Sequence, residues 1–516
     1  MGSDASLDSL KTKLLTIHHL KNASAVLSWD QETYMPSGGG PARAEQIATL
    51  QTLAHEAFIS PETEKLLGTW VDIPTGQLLE KARTTLAKSS QALIKEIWRD
   101  FNHASKLPSA FVNTLERECS LAQQVWTEAR KKNDFSLFLP NLRTVVTLKL
   151  EETQYLGYSD SPYDALLDEF EPGSTVEQLK PLVGTLRPRL VSLLQHVLNS
   201  SIKPKTSLLT QSFAHAAQLE FGETVLRKMG YEFDRGRLDQ SAHPFTTSFH
   251  PNDVRVTTRV FEQDFQSCLF SCIHEGGHGL YEQGLLPEHY GTPLGEAVSL
   301  GIHESQSRLW ENAVGRSRPF WKHFFPLAQS VFPEQFGNTA FDEFYLAINH
   351  VQPSLVRVEA DELTYNLHIM VRFEIELDLI EGRTRVEDLP EVWNQKMQDY
   401  LGITPDRNTN GVLQDVHWSF GAFGYFPTYT LGNLYASMFY EQAKQEIPNL
   451  ERGIAEGNLL PLKEWLNQKI HRWGRQYSPE ELVRRVTGQD LSPEPFLNYL
   501  EHKFGDLYDF SIKPET

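Results

Sequence analysis

A mainly α-helical fold with one small β element is predicted for this 516-residue chain, on two observations. Apolar residues recur at spacings of three and four along most of the sequence, as on one face of a helix. Only one stretch, 242–260, alternates with the two-residue period of a half-buried strand.

The first helix is expected over Ser6 to Ser28, where Leu7, Leu10, Leu14, Leu15, Ile17 and Leu20 share a face. Further helices are expected over Gly76 to Phe101, Ala110 to Asn133, Thr175 to Asn199 and Pro461 to Arg475. In the exceptional stretch, Val254, Val256, Thr258 and Val260 alternate with Arg255, Thr257 and Arg259. The run Phe245 to Phe249 precedes it across His250, Pro251, Asn252 and Asp253, which are good turn formers. The pattern predicts a β-hairpin directly before the helix of interest below. No repeat, low-complexity tract or linker interrupts the chain. Residues 1–516 are therefore expected to form a single helical unit with a deep groove, the helices up to about residue 130 supplying one wall or lid.

Composition narrows the function classes. A formal net charge of −19 argues against binding a phosphate backbone, which needs clustered Lys and Arg. Cys119, Cys268 and Cys272 are the only cysteines, too few for a disulfide framework, so a reducing, cytoplasmic setting is expected. No unbroken apolar run approaches the length of a signal peptide or the roughly 20 residues of a membrane span.

Residues 274 to 278 read His-Glu-Gly-Gly-His. On a helix the two histidines lie one turn apart on the same face, so both imidazoles can address one ion. Glu275 is about 100° round the helix, near enough to hold a metal-bound water without being a ligand. A divalent ion brings that water's pKa down towards about 7, and the carboxylate accepts its proton and passes it to a leaving amine. Chance produces this pentapeptide in roughly a few per cent of chains this long, so the flanks matter. Gly276 and Gly277 each cost a helix about 1 kcal/mol relative to Ala, which points to close approach of another group. Leu269, Ile273 and Leu280 supply a core-facing side. Cys268 and Cys272 do not fit a thiolate site and are expected to pack as small apolar groups.

A catalytic zinc takes a third protein ligand and keeps one position open. A second helix is expected over Gly295 to Val314, carrying Glu296, His303, Glu304 and Glu311 as candidates. Glu304 is far enough from His278 for a turn and an antiparallel return, and spacing leaves the other three open.

Here the sequence resembles a known family. HEGGHGLYEQ at 274–283 and GTPLGEAVSLGIHESQSRLWEN at 291–312 are similar to the thermostable carboxypeptidases, the Taq-type metallocarboxypeptidases. The likeness includes SWDQETYMP at 28–36, PYDALLDEFEPG at 162–173, His243-Pro244-Phe245 and Asp253-Val254-Arg255-Val256-Thr257. It continues through VRVEAD at 356–361 and GVLQDVHW at 411–418. The resemblance implies release of C-terminal residues from peptides, Glu304 as the third ligand with His274 and His278, and Glu275 as general base. It also implies a homodimer and one divalent ion per chain, zinc or cobalt; ligation by His and Glu does not choose between them. Many related zinc peptidases carry an acidic residue four positions after the ligand glutamate, whereas this chain has Arg308. The groups that orient His274 and His278 are therefore left open.

An oxyanion needs donors beyond the metal. The segment 417–429 is rich in aromatics and glycine, and related helical peptidases take a His and a Tyr from such a segment. His417 and Tyr429 are the expected stabilisers, with Tyr425 as the alternate. A free C-terminal carboxylate suits an Arg fork. A helix expected over Ser354 to Ile380 carries Arg357, Asp361, Thr364, Tyr365, His368 and Arg372 in one polar stripe, read as facing a wet cleft. Arg357 is the carboxylate candidate, with an exposed Arg357–Asp361 pair as the plainer reading. The hairpin edge offers a main-chain pairing site for an extended peptide, which would give broad specificity, with His243, Arg255 and Thr257 along it. Two other functions remain open: a helical endo-oligopeptidase sharing the motif, and a non-catalytic binding protein with a structural metal.

Overall fold

The computed structural model describes residues 5–511. The N-terminal periodicity becomes the helix Ala5–Thr33, burying Leu7, Leu10, Leu14 and Ile17. The stretches expected at 110–133 and 175–199 are the helices Ser109–Lys132 and Val176–Asn199. The second begins where it does because Thr175 and Gln178 cap each other's backbone reciprocally. Two other expected helices are broken. Residues 76–101 become Glu80–Thr85 and Lys88–Lys106, with Leu86 and Ala87 extended between them. Residues 461–475 become Leu460–Lys469 and a 3-10 segment from His471 to Gln476. Helices make up about 70% of the protein, so the mainly α expectation holds.

The expected hairpin is present and belongs to a three-stranded sheet. Strands β1 (Gly236–Gln240), β2 (Thr246–His250) and β3 (Asp253–Thr258) lie in the order β1-β3-β2. β2 and β3 are antiparallel, with Thr246 opposite Val256, and β1 joins β3 in parallel. Val254 and Val256 are fully buried and turn the sheet towards the helix Phe265–Gly284, which carries the His-Glu-Gly-Gly-His motif. That motif helix starts where Asp264 accepts from the amides of Gln266 and Ser267.

Two expected helices start late. The segment 295–314 is helical only from Leu300 to Arg308, and Leu309–Val314 continues it as a π-helical turn. The segment 354–380 is helical only from Thr364, because the Asp361 carboxylate takes the amides of Leu363 and Thr364. His368 and Arg372 are fully buried, so the polar stripe does not face a wet cleft, and Asp361 is engaged by these amides instead of Arg357.

Buried apolar side chains form two clusters. The small one joins Leu7, Leu10, Leu14, Ile94, Ile97 and Phe101 of the N-terminal helices, and Trp70 from a turn between them, with Leu294. The large one runs through the rest of the described chain and already includes Cys119 and Ala122. Cys268 and Cys272 are buried thiols within it, as expected. Between the N-terminal helices and the main body lies a cleft of about 1390 Å³, lined among others by His18, Trp29, Thr246, Thr247, His303 and Arg475. Arg475, itself paired with Glu296, ties the two sides through Glu96 and Asp100, and Arg99 pairs with Asp168. No helix among the described residues is long and apolar enough to cross a membrane.

Candidate metal centre and active site

The two glycines of the motif are explained by what faces them. A Cβ on Gly277 would sit 2.6 Å from Ser307 Cα and 2.7 Å from the Gln306 carbonyl oxygen, so the motif helix crosses the Leu300–Arg308 helix backbone against backbone. Gly276 meets only the flexible ends of Leu226 and Met229. On the other side of the second helix, Gly432 of the helix Pro427–Glu446 lets that helix close onto the Glu304 side chain. Residues without side chains thus bring three helices close to one point.

At that point His274, His278 and Glu304 converge, with one ligand atom from each lying within 4.8 Å of the others. Glu304 Oε2 is 3.7 Å from His274 Nε2 and 3.5 Å from His278 Nε2. The four candidates on the second helix segment separate cleanly. Glu304 faces the histidines, Glu311 bonds His274, His303 contacts His278, and Glu296 pairs with Arg475. The question of what orients the histidines has a geometric answer. His274 Nδ1 lies 2.8 Å from Glu311 Oε2, and His278 Nδ1 lies 2.5 Å from His303 Nδ1. Arg308 sits 2.6 Å from Glu304 Oε1 and 3.2 Å from Glu311 Oε2, bridging the two carboxylates.

The electrostatics follow from burial among charges. Burial would raise Glu304, but Arg308 and the two histidines outweigh it and hold the carboxyl far below its usual range. Burial works the same way on Glu311, and Arg308 with His274 brings it down to about 2. Burial and the neighbouring His303 lower His278 to about 3, so its ring is neutral. For His274, burial is opposed by Glu304 and Glu311, which lift it above the ordinary value. Burial pushes Glu275 up, partly offset by His274 and by Thr246, whose Oγ1 lies 2.7 Å from Glu275 Oε2.

Thr246 belongs to β2, whose second edge carries no strand partner among the described residues. Phe245, Thr246 and Thr247 line the cleft, which reaches the centre through Thr246 and His303. The three hairpin residues expected along that edge are elsewhere. Arg255 lies on the central strand, pairs with Asp253 and stacks over Trp29 at 4.3 Å. Thr257 is fully buried, its hydroxyl bonded to the Phe245 amide. His243 lies in the exposed β1–β2 loop, where its carbonyl accepts from Ser241.

The aromatic segment does converge. His417, in a 3-10 turn, has its ring 5.3 Å from that of Tyr425, which is 5.4 Å from that of Tyr429. Burial lowers His417 to about 4, and its Nδ1 is buried without a protein partner among the described residues. Arg357 lies outside the helix, in a 3-10 turn, and stacks 5.3 Å from the Tyr429 ring. Its Nε and Nη2 donate to Asp415 Oδ1 at 3.0 and 2.8 Å, and Nη1 donates to Tyr365 at 3.1 Å. Asp415 also accepts from Arg372 at 2.7 Å.

A helical scaffold that gathers two imidazoles and a carboxylate beside a glutamate, next to a cleft lined by their neighbours Thr246 and His303, defines a metallopeptidase. The chain belongs to the carboxypeptidase Taq (M32) metallopeptidase family, whose model matches residues 9–504. It is 44% identical over 500 residues to thermostable carboxypeptidase 1 of Thermus thermophilus, covering 95% of this chain and 96% of the relative. Carboxypeptidase 1 of Bacillus subtilis is 40% identical over 495 residues, covering 96% and 97%. Among solved structures, the M32 carboxypeptidase from Deinococcus radiodurans superposes with a TM-score of 0.94 at 39% identity, covering 98% of this chain and 100% of that one. Trypanosoma cruzi metallocarboxypeptidase 1 gives 0.89 at 34% identity, covering 97% and 99%. The expected family, fold and metal-dependent carboxypeptidase activity are therefore correct.

Proposed function

We propose that this enzyme releases C-terminal residues from peptides of broad sequence, with one divalent ion held by His274, His278 and Glu304 and with Glu275 as general base. The observation that carries the reading is the convergence of those three side chains with their Nε2 and Oε2 atoms mutually facing. The donor set suits zinc, with cobalt as the alternative, and it leaves a coordination position for water. When bound, the ion supplies Lewis acidity and an acidified water.

The chain's own groups do the rest. Glu275 takes a proton on its carboxylate and returns it to the leaving amine nitrogen. Thr246 holds Glu275 Oε2 in place by one hydrogen bond. Tyr429 and His417, with Tyr425 as the alternate, donate to the oxyanion from the aromatic segment. Arg357 spends three of its five N–H groups on Asp415 and Tyr365, and the remaining two on Nη1 and Nη2 receive the substrate carboxylate. The free edge of β2 pairs with the peptide main chain, which makes recognition insensitive to side chains. The N-terminal helices form the opposite wall of the cleft. Three buried, unpaired thiols suit a reducing, cytoplasmic setting, and we carry over a homodimer from the family resemblance.

The test combines metal analysis with digestion of free and C-terminally amidated peptides. Wild type should bind one ion per chain and shorten only the free peptides stepwise, whereas Glu275→Gln should keep the ion and lose turnover. Cleavage of amidated peptides would instead indicate an endo-oligopeptidase. Full activity in Glu275→Gln would remove the general-base role.

A further inference from the structure

The two histidines of the motif offer Nε2 to the same point, but their Nδ1 atoms rest on different kinds of group. His274 Nδ1 meets a carboxylate, Glu311, which is itself flanked by Arg308 at 3.2 Å and Arg316 at 3.6 Å. His278 Nδ1 meets another imidazole, His303 Nδ1, at 2.5 Å. The far nitrogen of that ring, His303 Nε2, lies 2.9 Å from Glu282 Oε1.

One arrangement of protons satisfies this chain while leaving His278 able to ligate. An ionised carboxylate only accepts, so Glu282 selects the His303 tautomer with its proton on Nε2. His303 Nδ1 then carries a lone pair and accepts from His278 Nδ1–H. That leaves the lone pair of His278 on Nε2, the atom 3.5 Å from Glu304 Oε2. The opposite arrangement, with the proton on His303 Nδ1, would place a hydrogen on His278 Nε2 and remove it from the ligand set.

We propose that His303 is a positioning residue for His278, with Glu282 setting its tautomer, so that a Glu–His–His relay backs the metal centre with His303 at the wall of the cleft. The proposal rests on the ligand assignment of the preceding section. His303 is well placed for the role. It sits within one helical turn of Glu304, it lines the cleft, and its ring packs between Tyr281 at 5.2 Å and His278 at 4.5 Å. That packing also defines the rival role, in which the ring matters only as filler.

Two substitutions separate the roles. His303→Phe keeps a flat ring between Tyr281 and His278 and removes the acceptor. His303→Asn loses the ring and keeps an oxygen near the place of Nδ1. The readout is the zinc dissociation constant, measured by competition with a chromophoric chelator, with thermal denaturation of each metal-free variant as the folding control. His303→Phe should weaken zinc binding by about 10–100-fold, the range seen when the partner of a ligating His is removed, and His303→Asn should recover most of the loss. Wild-type affinity in His303→Phe, or equal losses in the two variants, would overturn the relay. Neutron diffraction from zinc-loaded wild-type crystals tests it without any substitution: deuterons are expected on His278 Nδ1 and His303 Nε2, and one on His303 Nδ1 would refute it. A wild type that binds no zinc, or binds it away from His278, would fail the ligand assignment rather than the relay alone.

Discussion

Consider replacing Gly277 by Ala, one methyl group added where the motif helix crosses the Leu300–Arg308 helix. The new Cβ would lie 2.6 Å from Ser307 Cα, 2.7 Å from the Gln306 carbonyl oxygen and 3.0 Å from the Gln306 carbonyl carbon. Carbon atoms are comfortable at about 3.5–4.0 Å, so the helices must part by on the order of 1 Å. All three obstacles are backbone, and no rotamer change can relieve them. Ala gains about 1 kcal/mol over Gly in intrinsic helix propensity, while overpacking costs about 1–3 kcal/mol, so the net loss of stability should be small. The damage falls on the centre instead. Glu304 is one turn from Ser307, and zinc ligands tolerate only about 0.2 Å of error. Zinc affinity should fall at least 10-fold, with kcat/KM on a blocked dipeptide falling alongside it. Gly276→Ala is the matched control, because its Cβ meets only Leu226 Cδ2 and Met229 Cε, which can swing away. The reasoning is refuted if chelator competition gives Gly277→Ala the same zinc affinity as Gly276→Ala and wild type.

Two more predictions concern buried charge. Asp415→Asn should destabilise the fold by about 3–5 kcal/mol in a denaturant titration, because Arg357 and the fully buried Arg372 both lose their anion. Glu171, fully buried, accepts from Ser299, Gly301 and Tyr435 at the start of the Leu300–Arg308 helix, and burial pushes it up to about 7 despite those donors. Its folded value exceeds the unfolded one, so its contribution is full at low pH and is lost as pH rises through 7. Wild type should therefore lose on the order of 3 kcal/mol between about pH 4.5 and 7 that Glu171→Gln does not lose. Identical pH slopes in the two proteins would count against it.

How much of this was legible in advance depended on how local each feature is. The motif histidines share a helix face by simple periodicity, and the glycines between them announced a close crossing, which the Gln306–Ser307 backbone supplies. Glu304 could not be chosen over Glu296, His303 or Glu311 by spacing, because the choice depends on how the second segment turns against the first. Resemblance pointed to it. Glu311 and the His303–Glu282 pair act across helices, and no one-dimensional pattern records such neighbours. The π-helical turn at Leu309–Val314 shifts Glu311 out of the ordinary period. The late start at Thr364 has a single cause, the Asp361 carboxylate taking two amides, while the apolar pattern upstream continued to imitate a helix. Strand β1 was missed because its five residues offer only one apolar side chain, Leu238.

The buried apolar cluster of the N-terminal segments up to Phe101 takes a single residue from the body, Leu294. Polar contacts fasten them across the cleft, among them Arg475 to Glu96 and Asp100 and Arg99 to Asp168. Arg475 is itself largely buried, so dissolved ions screen its pairs much less than they would screen an exposed pair. The N-terminal wall and the His274–Glu304 centre are thus held in different ways, the first by shielded charge and the second by a backbone crossing at Gly277.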